Sequence, residues 1–177
     1  MDWDERLFAF LDELEQQAQA LYDADRESEL ADRARSEYAA VTLVSRLMAS
    51  IGREMVLDVR GVGPVAGELQ RLGPDWCLVH GAAQDWVVRL AAVKRVEGAS
   101  DRSMPEIAWS PVSRLGLGSA LRRLADTRTE CRVRSVDGAV WDAFLTRVGS
   151  DFVEARVGEG RVVLLALESL GAVQSRG

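Results

Sequence analysis

Arg71-Leu72-Gly73-Pro74-Asp75-Trp76 and, 76 residues later, Arg147-Val148-Gly149-Ser150-Asp151-Phe152 share one pattern: arginine, apolar residue, glycine, any residue, aspartate, aromatic. The match extends in both directions. Met55 falls on Cys131, Leu57 on Val133, Val65 on Trp141 and Leu69 on Leu145; after one added residue, Leu90 falls on Leu167 and Val96 on Val173. Repetition at a fixed spacing marks a duplicated structural unit.

Within each copy the apolar period is two. Met55, Leu57 and Val59 alternate with Val56, Asp58 and Arg60, and Val65, Gly67 and Leu69 alternate with Ala66, Glu68 and Gln70. Gly61-Val62-Gly63-Pro64, Gly73-Pro74-Asp75 and Gly81-Ala82-Ala83-Gln84 separate the runs, giving five short strands with tight connections, the pattern of a small barrel. A short helix precedes each set, at Leu43–Ser50 and Ser119–Asp126. Residues 98–113, rich in Ser, Gly and Pro, read as a linker, with Trp109 expected to dock on a barrel.

Upstream the period changes. Trp3, Leu7, Phe10, Leu11, Leu14, Ala18 and Leu21 recur at three-and-four spacing, and no Gly or Pro occurs before Gly52. This predicts one long helix to about Tyr38, with Asp25 the place for a kink. Its stripe, Leu7, Leu11, Leu14 and Leu21 in particular, is a core or dimer seam or a docking arm for another protein. The expected organisation is an acidic helical arm (1–40), a first barrel with its leading helix (41–97), the linker (98–113), and a second barrel with its helix (114–177). The fold class is α+β, mainly β.

A helix and five bent strands, with Gly67-Glu68-Leu69-Gln70-Arg71-Leu72, Asp75-Trp76-Cys77-Leu78 and Val87-Val88-Arg89-Leu90-Ala91-Ala92-Val93, resemble the two motifs of the Sm-like, SH3-like small barrels. The glycine lets strand two bend enough to close so small a barrel. Ala143 stands where the second copy would have it, and Gly73-Pro74 and Gly149-Ser150 lie before the aspartates. The acidic helix plus two such units also resembles an uncharacterised actinobacterial family labelled Fis-like transcriptional regulators. The resemblance implies a tandem Sm-like protein, with RNA or DNA among its expected partners.

Charge is unevenly placed. The net charge of −6 combines 12 acids and 4 arginines in residues 1–40 with 16 acids and 18 bases in the rest. Arg114, Arg122, Arg123, Arg128, Arg132 and Arg134 face only Asp126 and Glu130 in residues 114–134, a candidate patch for phosphates or for an acidic protein segment. Alternation on the third strand turns Trp76, Leu78 and His80 away from the barrel core. Two large apolar side chains there form a candidate interface face needing a cover, expected from within the chain (the N-terminal helix, the linker or the other barrel) ahead of an external partner.

Composition bears on the remaining function classes. Two cysteines and one histidine cannot supply a zinc site, and no cofactor is expected. No phosphate loop, nucleophile motif or set of convergent titratable groups stands out, so the reading is a non-enzyme with no evident small-molecule substrate. The acidic start and the lack of long apolar runs predict a cytoplasmic protein that does not enter a membrane. The leading expectation is an interaction module whose arm serves self-association or a protein partner. The alternative is an RNA- or DNA-associated regulator using the arginines of the second copy.

Overall fold

The computed structural model describes the backbone of residues 3–176 and the side chains of 8–176. The chain divides into two units, 1–41 and 42–177. The first is helix α1 (Trp3–Ala39), 37 residues long and continuous through Asp25. At 1.5 Å per residue it spans about 55 Å. Local ion pairs at helical spacing, Arg33 with Glu37 and Arg35 with Asp32, lie along its exposed surface. No helix among the described residues is long and apolar enough to cross a membrane.

The second unit is β-rich. Helix α2 (Leu43–Met48) opens it with a capping box: the Thr42 hydroxyl accepts from the Ser45 N–H, and the Ser45 hydroxyl oxygen accepts from the Thr42 N–H. Strands β1 (Glu54–Val59), β2 (Gly63–Leu72), β3 (Trp76–His80), β4 (Asp85–Arg89) and β5 (Val93–Glu97) follow. After the linker come helix α3 (Leu117–Thr127) and strands β6 (Glu130–Ser135), β7 (Val140–Val148), β8 (Phe152–Val157), β9 (Arg161–Ala166) and β10 (Leu170–Ser175). A single 3₁₀ turn joins β4 to β5 and another joins β9 to β10, at Leu90–Ala92 and Leu167–Ser169.

The copies match in detail. Strand order is β5-β1-β2-β3-β4 in the first and β10-β6-β7-β8-β9 in the second. Leu57 pairs with Val65 as Val133 pairs with Trp141. The bulge between Leu69 and Arg71 recurs between Leu145 and Arg147. The Gly73 N–H donates to the Trp76 carbonyl as Gly149 does to Phe152, and the Leu90 N–H donates to the Asp75 carbonyl as Leu167 does to Asp151. The repeated Gly-x-Asp-aromatic sequence thus encodes one turn built twice.

The strands form one antiparallel ten-stranded sheet in which β4 pairs with β10, and it is not closed, β5 and β9 being its two ends. Ala172, Val173 and Gln174 pair with Val88, Val87 and Trp86. The sequence pattern anticipated five strands per copy but not this joint. It interlocks the two cores: Ala172 of β10 lies in the first cluster, with Leu47, Leu57, Leu69, Val79 and Trp109, while Val87 of β4 lies in the second, with Leu117, Leu121, Val133, Val153 and Ala155. The expected inward faces of β3 and β8 are buried, at Cys77 and Val79 and at Val153, Ala155 and Val157.

Candidate interaction surfaces

Trp76 and Leu78 point away from the first core, as alternation requires, and are half-buried against the second cluster. The Trp76 indole N–H donates to the Leu115 carbonyl at 2.8 Å. Asp75 beside it accepts from the Leu117 N–H at 2.8 Å, at the start of α3. The cover for this face is therefore the second copy and the segment leading into it. Trp109 docks in the first core, its indole N–H donating to the Met104 carbonyl at 3.0 Å.

The candidate arginines lie just before α3, on it, at its end and on β6. Arg122 and Arg123 lie exposed on α3, and Arg128 ends that helix in the left-handed conformation, φ 53°. Arg114 reaches the Glu106 carbonyl at 3.4 Å. Arg132 is held by Asp142, Nε to Oδ1 at 2.8 Å, and the pairing keeps the Asp142 carboxyl below its usual range. Arg134 donates to the Gln174 amide oxygen at 3.1 Å and stacks over Trp86, 5.6 Å from the ring centroid. Its partners belong to the joint between the copies. Counting charge along residues 114–134 missed Asp142, which reaches Arg132 across the strand pair.

Sequence reasoning also missed a cleft of about 520 Å³ lined by Ala125, Arg128, Phe144, Leu145, Thr146 and Arg156. Phe144 is exposed and pairs with Arg156 across β7 and β8. The only signal for it was an aromatic on the polar face of an alternating strand.

On α1 the described side chains are exposed, Leu11 (48%), Leu14 (44%) and Leu21 (71%) included, along with Phe8, Phe10 and Tyr22. The side chain of Leu7, the remaining expected arm contact, lies outside the described residues. Leu11, Leu14, Ala18 and Leu21 continue the alternating three-and-four spacing of a helix–helix seam.

His80 ends β3, and its Nδ1 lies 2.6 Å from Asp85 Oδ1 across the turn. The hydrogen bond and charge of Asp85, followed by Glu68 and Glu54, raise the imidazole above its usual pKa. Burial pushes the Cys77 thiol up to about 12 and Cys131 to about 11. Among the described residues no three His, Cys, Asp or Glu side chains come together as a metal cluster. No family model matches the sequence, and a search of curated proteins finds no significant match.

Proposed function

We propose that this chain is a non-enzymatic interaction module: a duplicated Sm-like small-barrel body carrying a helical arm for self-association or for a protein partner. The observation that supports this most is α1. Over its first half this 37-residue helix displays Leu11, Leu14 and Leu21, all exposed, in the three-and-four spacing that a second helix could cover. The turn repeated at Asp75 and Asp151, the duplicated strand order and the 3₁₀ turn before each last strand favour the Sm-like description of the body. We place the module in the cytoplasm, where its two buried free thiols suit a reducing compartment.

The test is amide exchange along residues 8–39 as protein concentration rises. Self-association predicts growing protection of the helix in the wild type and none in a Leu14→Asp/Leu21→Asp variant. Exchange that is independent of concentration and equal in both overturns self-association through the arm.

A second reading, an RNA- or DNA-associated regulator, is favoured by Phe144 exposed beside Arg128 and Arg156. An aromatic face can stack a base while guanidinium groups hold phosphate. Titration with single-stranded RNA and duplex DNA at increasing salt tests it. Steep loss of affinity with salt, and loss of binding in Phe144→Ala, support it; no binding at low salt removes it.

A further inference from the structure

We propose that β9 is an association edge and that it receives β9 of a second copy of this chain, antiparallel about a two-fold axis. The proposal rests on the interaction-module reading but uses a strand of the β-rich unit in place of the arm.

The open sheet ends in two strands, β5 and β9. The internal joint between β4 and β10 shows what each end would need in order to be paired, because β10 is the duplicate of β5 and β9 the duplicate of β4. Paired β10 reads Leu170-Gly171-Ala172-Val173-Gln174-Ser175 and is almost wholly buried. Its unpaired duplicate reads Val93-Lys94-Arg95-Val96-Glu97, placing charge where β10 has Gly171, Ala172 and Gln174. Lys94 and Arg95 form local ion pairs with Asp58 and Glu97. Charged residues on an outer strand are a standard device against edge-to-edge pairing, so β5 is built to stay an edge.

β9 lacks that device. It reads Arg161-Val162-Val163-Leu164-Leu165-Ala166, with charge only at its first residue. Val162 is 59% exposed and Leu164 63%. In the first copy, the counterpart of Leu164 is Val87, which is 8% exposed because β10 and α3 lie against it. The second copy thus repeats a surface that the first copy buries, and keeps it apolar while the opposite edge has become charged.

The backbone at β9 is oriented for pairing. The Leu167 N–H donates inward to the Asp151 carbonyl, and the β8–β9 register is regular. Antiparallel alternation then leaves the N–H and C=O groups of Val162, Leu164 and Ala166 on the outer edge. The duplicate confirms the phase, since the Asp85 N–H, counterpart of Val162, reaches the Ser175 hydroxyl on β10 at 2.8 Å. A two-fold centred on Leu164 sets Leu164 against its own copy and Val162 against Ala166 of the second chain. Arg161 then faces Leu167, and no like charges meet. Pairing with β5 would instead bring Lys94, Arg95 and Glu97 into the seam. The two-fold arrangement closes at two chains. Six residues make a short seam beside a standard interface of roughly 1,200–2,000 Å², so association belongs to the weak class.

Sedimentation of the full chain carrying Leu14→Asp and Leu21→Asp, at up to several hundred micromolar, isolates this contact from the arm. The expected result is reversible association to twice the 19.4 kDa chain mass. Adding Leu164→Arg, or Val162→Lys on the same exposed face, should weaken it at least tenfold with an unchanged circular dichroism spectrum. Leu164→Cys should give a disulfide-linked dimer on oxidation, whereas Val96→Cys on β5 should not; Cys77 and Cys131 are buried and stay out of the reaction. A monomer at every concentration overturns the proposal. Trimers or longer series, or cross-linking between positions 164 and 96 in a mixture of the two cysteine variants, overturn the two-fold pairing in favour of head-to-tail assembly. Failure of the arm is seen separately, as no difference between the wild type and Leu14→Asp/Leu21→Asp.

Discussion

Asp75 Oδ1 accepts a hydrogen bond from the Leu117 N–H at 2.8 Å, so the first copy caps the leading helix of the second. Gly116, at the cap position, has no side chain to do so, whereas α2 is capped by its own Thr42. The duplicate of Asp75 is Asp151, whose side chain, among the described residues, meets the adjacent Ser150 hydroxyl, at 3.4 Å, and no helix start. Duplication supplied two aspartates with the same backbone role, and only the one at the joint also acts through its side chain.

Asp75→Ala should therefore cost about 0.5–2 kcal/mol, the range for losing a helix cap. Asp151→Ala should stay within about 0.5 kcal/mol, as for an ordinary surface change. Urea unfolding of both variants measures the difference. Equal losses would mean that the carboxylate–helix contact contributes nothing.

Gly67 and Ala143 occupy equivalent places but are not interchangeable. A Cβ added at Gly67, which has φ +155°, would lie 2.2 Å from the His80 carbonyl oxygen and 2.9 Å from Gly81 Cα. Both are backbone atoms and cannot move alone. Gly67→Ala should destabilise by about 1–3 kcal/mol or more through overpacking. Ala143→Gly should cost about 1–2 kcal/mol, from greater freedom in the unfolded chain and the loss of a buried methyl group. Comparing their denaturation midpoints tests this; a neutral Gly67→Ala would contradict the close approach of β2 and β3.

Much of the body was legible in the sequence. Period-two alternation assigned Cys77, Val79, Val153 and Ala155 to the core, and the repeated Arg-x-Gly-x-Asp-aromatic pattern revealed the duplication. The joint between β4 and β10 was not legible, because backbone pairing at a strand edge leaves no obligatory residue signature. Trp76 and Leu78 could be marked as needing a cover, but the cover lies at Leu115, Leu117 and Leu121, about 40 residues downstream. The partners of two candidate arginines were hidden for a similar reason. Strand register brings Asp142 to Arg132, and β10 brings Gln174 to Arg134, contacts that a running charge count cannot register.

His80 offers a pH readout. Its folded pKa is raised above the ordinary 6.5 by Asp85, so the protonated pair stabilises the fold. That contribution is fully present below the unfolded value and is lost as pH rises through the folded value. The pair is exposed, so the change in stability should be small. As the chain's single histidine, His80 gives one imidazole NMR titration. Its midpoint should lie above 6.5 and fall in Asp85→Asn. An unshifted midpoint in the wild type would show that the 2.6 Å contact does not persist in solution.

If exposed Leu11, Leu14 and Leu21 of α1 join two copies of this chain, its mass in solution reads that out. Light scattering at physiological salt should give the wild type a mass above the 19.4 kDa of one chain. Leu14→Asp/Leu21→Asp should lower that mass at the same concentration while the β-rich body keeps its unfolding transition. Two charges in a buried seam cost several kcal/mol when unpaired. A wild-type mass of one chain at all concentrations, or an associated state indifferent to the double substitution, would contradict self-association through the arm.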